Sequence, residues 1–145
     1  MKSEKFGIRR SLPGFTLLEL LVVLAILGLL AGLVGPRIMK LFAGAQSDTV
    51  ALQIKNLSTT LDAYRLDVGR YPSTSEGLQA LIESPSNGAR WNGPYLDKKA
   101  IPKDPWGNEL QYRYPGEHGE FDLYSLGADN TDGGEGENKD IASWD

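Results

Sequence analysis

The sequence contains no cysteine and one histidine, His118, in 145 residues. Without cysteine there is no disulfide framework, thiolate metal site or cysteine nucleophile. With a single histidine there is no zinc cluster of the usual His/Cys kind. No histidine is paired with a serine and an orienting acid, and no glycine loop of the phosphate-binding type is present. The chain therefore reads as a non-enzyme, and His118, in a polar turn, reads as a solvated residue rather than a catalytic group or a ligand. No internal repeat is visible. Clustered positive charge is also missing: the formal charge is -4 and the basic residues are scattered, which argues against nucleic acid as a partner. A chain of this length with 41% hydrophobic residues supports one modest core and hardly a second.

What the sequence does have is a sharp partition. Lys2, Lys5, Arg9 and Arg10 precede a nearly uninterrupted apolar run from Phe15 to Val34. Twenty residues at about 1.5 Å each match a hydrocarbon core of about 30 Å, and the basic flank belongs on the cytoplasmic side. An ordinary secretory signal has a shorter apolar stretch and a cut site after it. Glu19 interrupts the run early, where an ionised carboxylate is costly without a partner. Either it snorkels to the headgroups from a helix end, or it has a function. Gly28, Gly32, Gly35 and Pro36 weaken the distal part of the run, which predicts a kink or a melted turn. Close packing of neighbouring helices against the same glycines is an equally good and compatible reading.

The string Leu12-Pro13-Gly14-Phe15-Thr16-Leu17-Leu18-Glu19 resembles the type IV pilin and pseudopilin signature. The resemblance implies that a prepilin peptidase cuts between Gly14 and Phe15, that the same enzyme N-methylates Phe15, and that Glu19 serves assembly. A cut before the apolar segment leaves the helix attached to the rest of the chain. A buried Glu could then pair with the α-amino group of a neighbouring copy, satisfying both charges. Loss of residues 1–14, with four basic side chains against Glu4, takes the formal charge from -4 to -7.

Beyond Pro36, the residues Val50, Ile54, Leu57, Leu61, Tyr64 and Val68 recur at spacings of 4, 3, 4, 3 and 4, one stripe of an amphipathic helix. Gly69 supplies the stop. Ser73-Thr74-Ser75-Glu76 offers caps for a short second helix carrying Leu78, Leu81 and Ile82, ended by Pro85. Trp91 and Tyr95 are expected as lids on the core. Asp104-Pro105-Trp106-Gly107-Asn108 has turn chemistry throughout. The alternating segments 110–114 and 121–125 predict an antiparallel hairpin across the turn from Pro115 to Glu120.

From Asp129 to Asp140 five carboxylates stand against Lys139, a local charge of -4 in twelve residues rich in glycine. Such a loop repels itself. Oxygen-only coordination of a hard cation, Ca²⁺ in particular, would offset the repulsion, although the residue pattern is not that of an EF-hand. A disordered acidic tail is the competing reading, but Ile141 and Trp144 give the segment apolar groups with which to dock.

The strings PSTSEGLQAL, KDPWGN and FDLYSLGADN, with GGEGENKDI and a terminal Trp, are similar to the major pseudopilin family of bacterial type II secretion over nearly the whole chain. This resemblance implies an α+β fold: a long N-terminal helix, half transmembrane and half amphipathic, on a small antiparallel sheet, with a C-terminal calcium-binding loop. It implies three segments: a cleaved leader 1–14, a transmembrane and assembly helix 15–36, and a soluble periplasmic head 37–145. The Ca²⁺ ligands it implies are the Leu126 carbonyl, Asp129 and Asp140, with Asp132 or a carboxylate of Glu135-Gly136-Glu137 completing the shell. The implied role is a structural subunit of the pseudopilus. As a single-pass inner-membrane protein with its head in the periplasm, it would form a homopolymer in contact with membrane lipid, the prepilin peptidase, other pseudopilins and the inner-membrane secretion platform. The alternatives are a major type IV pilin of a surface fibre, against which the absence of a C-terminal disulfide counts, and a membrane-anchored calcium-binding module.

Overall fold

A computed structural model describes residues 14–86, 89–97 and 99–145. The leader segment before Gly14 lies outside the described residues. The backbone divides into two compact units, Met1–Ile38 and Met39–Asp145.

Helix α1 spans Leu17–Val68. Its first half is long and apolar enough to cross a membrane, and its side chains are exposed within the chain. No break appears at Pro36, which lies inside the helix. Proline deletes one donor and crowds the carbonyl four residues back, at Gly32, while the hydrogen bonds of the flanking turns continue. The predicted melted turn is therefore not present.

In the second unit, the expected stripe is the core. Val50, Ile54, Leu57, Leu61 and Tyr64 are at most 3% exposed, and Val68 packs against them. The stripe meets Leu78 and Leu81 from the segment after the helix and Leu110 and Leu123 from the sheet region. Gly69 ends α1 with φ of +89°, its N–H donating to the Arg65 carbonyl at 2.8 Å.

Ser73 and Glu76 do form a reciprocal cap: the Ser73 N–H donates to Glu76 Oε2 at 2.7 Å and the Glu76 N–H to Ser73 Oγ at 3.2 Å. It closes a turn rather than an α-helix. Gly77, at φ of +60° and ψ of -167°, interrupts the helical path, and the chain continues as a 3₁₀ turn over Leu78–Leu81. Trp91 and Tyr95 cover the core as expected. Trp91 Nε1 donates to the Ala80 carbonyl at 2.8 Å, and the Tyr95 ring stands edge-on to Trp91 and Tyr64.

The sheet has three antiparallel strands in the order β1-β2-β3: β1 is Gln111–Arg113, β2 is Asp122–Ser125 and β3 is Ile141–Ala142. The predicted hairpin is β1-β2, in register Tyr112↔Leu123. β3, paired through Ser125↔Ile141, is a strand beyond the predicted hairpin. His118 is exposed, as expected of a residue in a polar turn, yet it is not without partners. Its ring stacks on Trp144 at 4.0 Å with planes 9° apart, and its Nδ1 lies 3.4 Å from Asp122 Oδ2. Asp122 in turn accepts the N–H groups of Glu117 and His118 at 2.8 and 3.1 Å. Burial pushes the Asp122 carboxyl up, but those amides and the imidazole outweigh it and hold it below its ordinary value. The turn histidine thus ties the hairpin to the end of the chain.

Candidate functional site

Two regions hold the residues singled out by sequence. At the amino end, Gly14 has open space where a side chain would be and Phe15 is 81% exposed, so the Gly14–Phe15 peptide is accessible. The Glu19 carboxylate accepts from the Thr16 N–H at 3.0 Å and from Thr16 Oγ1 at 3.1 Å, while the Glu19 N–H donates to Thr16 Oγ1 at 3.2 Å. This is a capping box at the start of α1, signalled by the T-x-x-E spacing. Glu19 therefore has a partner within its own chain, and its carboxylate remains exposed on the helix surface.

The second region is the loop between β2 and β3. Its backbone curls because five residues adopt left-handed φ: Gly127, Asn130, Gly133, Gly134 and Gly136. At two of these, space as well as φ demands glycine. A Cβ on Gly127 would lie 2.8 Å from the Asn138 carbonyl oxygen, and one on Gly134 would lie 2.6 Å from it. The Ala128 N–H closes the loop onto the Glu137 carbonyl at 2.9 Å. Asp140 Oδ2 accepts the Gly133 N–H at 2.9 Å, drawing the far end of the loop back to its middle. Asp129 Oδ1 accepts the Thr131 N–H at 3.2 Å, and Asp132 is exposed.

The structure thus links Asp140 with the glycine turn, while Asp129 and Asp132 stay exposed to solvent. Among the described residues, no three His, Asp or Glu side chains gather closely enough to hold an ion. One atom nevertheless fits a cation: Asp140 Oδ1 is buried with no hydrogen-bond partner. Such an orphan carboxylate oxygen, in a loop whose other donors are carbonyls and carboxylates, suits a hard oxygen-seeking ion.

The KDPWGN turn takes part in this site, which the sequence alone did not signal. Asp104 is 4% exposed, and its Oδ1 accepts the N–H groups of Trp106 and Asn108 at 3.1 and 2.7 Å. Its Oδ2 accepts the hydroxyl of fully buried Ser125 at 2.8 Å, and Ser125 Oγ accepts the Gly127 N–H at 3.2 Å. Asn108 Nδ2 donates to the Gly127 carbonyl at 2.8 Å.

A long helix with an apolar, exposed first half, followed in sequence by a single α+β head with a C-terminal loop, defines a pilin-like protein. The sequence comparisons agree and go further. Residues 13–35 match the prokaryotic N-terminal methylation motif, and residues 37–144 match the type II secretion system (T2SS) protein G model. The chain belongs to the protein G family of the type II secretion system. It is 46% identical over 140 residues to the type II secretion system core protein G of Pseudomonas aeruginosa, covering 94% of this chain and 98% of that one. To the core protein G of Vibrio cholerae it is 44% identical over 138 residues, covering 93% of each. The crystal structure of the major pseudopilin from the type 2 secretion system of enterohaemorrhagic Escherichia coli superposes with a TM-score of 0.58 at 36% identity, over 70% of this chain and 88% of that one.

Proposed function

We propose that this chain is the structural subunit of the type II secretion pseudopilus. Prepilin peptidase removes residues 1–14 and methylates Phe15; residues 15–36 anchor the product in the inner membrane, with 37–145 in the periplasm. The chain then polymerises with its own copies and other pseudopilins, on the inner-membrane secretion platform, to drive folded proteins across the outer membrane. The observation that carries this reading is the tandem match, methylation motif followed directly by protein G head, over nearly the whole chain. Glu19 suits an assembly role because its only partners among the described residues belong to Thr16, exposed near the same terminus. A neighbouring copy's amine could replace them at little cost.

The loop from Leu126 to Asp140 is the proposed Ca²⁺ site, with the Leu126 carbonyl, Asp129, Asp132 and Asp140 as ligands. Bound there, the ion would supply positive charge against a local -4 and a partner for Asp140 Oδ1. The residues' own share is to present oxygens from a curled backbone and to tie β3 back to β2.

Deletion of the gene in its host tests the assignment. Folded exoproteins should accumulate inside the outer membrane, with export restored by the wild-type chain and not by Glu19→Ala. Unchanged export in the deletion strain would refute the proposed role.

A further inference from the structure

The Leu126 carbonyl can serve as a ligand only if the peptide joining Leu126 to Gly127 is held in one orientation. That peptide is planar and trans, so its C=O and N–H point in opposite directions. Whatever fixes the Gly127 N–H therefore aims the Leu126 oxygen.

The N–H is fixed by Ser125 Oγ at 3.2 Å. Ser125 has a single proton, and it is given to Asp104 Oδ2 at 2.8 Å, leaving an oxygen lone pair for Gly127. Asp104 is itself immobilised. Its Oδ1 takes two turn amides, its backbone N–H donates to the Asn108 carbonyl at 3.0 Å, and the Gly107 N–H donates to its carbonyl at 2.9 Å. The next carbonyl along, that of Gly127, is held from the same turn by Asn108 Nδ2 at 2.8 Å. Both faces of Gly127 are thus gripped, at the point where β2 gives way to the loop. Ser125 is fully buried and Asp104 nearly so. Hydrogen bonds of this kind are worth more where water does not compete.

We propose that Asp104, Ser125 and Asn108 are positioning residues for the loop's cation, with Asp104 and Ser125 aiming the Leu126 carbonyl and Asn108 fixing the residue after it. None of the three is itself a ligand. The proposal rests on the calcium reading of the loop. It adds that the affinity is set partly by a turn some twenty residues earlier in the chain.

The test is Ca²⁺ titration calorimetry on the full-length processed chain in detergent, after removal of metal with EGTA, alongside thermal melting in EGTA. Ser125→Ala and Asn108→Ala should each raise the Ca²⁺ Kd by about 10- to 100-fold, the usual effect of losing an outer-shell partner. Ser125→Thr, which keeps the hydroxyl, should stay near wild type. A structural contribution alone would lower the melting point in EGTA and leave the Kd of the folded protein unchanged, and that result overturns the proposal. Should Ser125→Ala fail to fold, the partly exposed Asn108 decides the matter, and a wild-type Kd in Asn108→Ala counts against it. If the wild-type chain takes up no Ca²⁺, the calcium reading itself fails. That outcome is distinct from equal binding by wild type and variants.

Discussion

At the residue scale, the best-defined ion pair joins Arg70 to Glu76. Both terminal guanidinium nitrogens contact the carboxylate, at 2.6 and 2.7 Å, and the Ser73 N–H adds a third bond at 2.7 Å. Chiefly because of Arg70, the Glu76 carboxyl is held at about 2, below its ordinary 4.5. A carboxyl with a lowered folded-state pKa stabilises the fold above its unfolded value, and that contribution disappears as pH falls through the folded value. Glu76→Gln should therefore melt below wild type at neutral pH. The gap should narrow from about pH 4.5 downward and close near pH 2, as read by circular dichroism in EGTA. A gap independent of pH would mean that the pair contributes through packing alone.

Single residues were legible in the sequence only where the relevant neighbours lie close along the chain. Ser73 with Glu76 was readable from a spacing of three, and the same spacing joins Thr16 to Glu19, where the sequence reading weighed only the cost of a charge in an apolar run. His118 stacks on Trp144, and Asp104 holds Ser125, across separations of 26 and 21 residues. A turn histidine with no apolar neighbours in sequence gives no sign that a tryptophan will return to cover it.

At the scale of elements, helical periodicity was informative because one face of α1 is buried along most of its second half. Leu61 is fully buried on that face, and Leu66 on the other is 85% exposed. Leu61→Ala should cost about 2–5 kcal/mol through lost burial and the cavity left behind. Leu66→Ala should stay within about 0.5 kcal/mol of wild type. Denaturant unfolding of the two variants tests the orientation of the helix, and equal losses would contradict it. The hairpin was readable from alternation, whereas β3 was not, since a two-residue strand carries no period and takes its identity from pairing with Tyr124 and Ser125. The short helix expected after Ser73 is instead a 3₁₀ turn, because the positive φ of Gly77, which a capping pattern does not reveal, turns the chain out of the α path. At Pro36 the expectation of a melted turn overweighted one missing hydrogen bond against the many that flank it.

At the scale of the whole molecule, composition and charge pattern carried most of the information. The basic leader, the apolar run and the acidic tail are properties of segments, and they are visible without any contact being known. Two consequences can be measured. Mass spectrometry of the membrane-bound protein should show a chain beginning at N-methylated Phe15. A terminus beyond Val34 would instead make the apolar run a conventional signal peptide. Calcium should stabilise the head: at a hundredfold excess over Kd, binding to the native state alone contributes about 2.7 kcal/mol. Asp140→Ala should remove most of that gain, because Asp140 Oδ1 is the loop's buried carboxylate oxygen without a partner among the described residues. A melting temperature indifferent to Ca²⁺ and EGTA would return the loop to a solvated acidic segment.

That the N-terminal helix makes this chain a filament subunit is tested most directly by electron microscopy of fibres sheared from cells that overproduce it together with its secretion machinery. Filaments composed of the processed chain are the expected result. They should be absent for Glu19→Ala even though that variant still fractionates with the inner membrane, because its helix keeps its apolar length. Filaments formed equally well by Glu19→Ala, or a wild-type chain that stays in the membrane as single copies, would contradict a filament role for the helix.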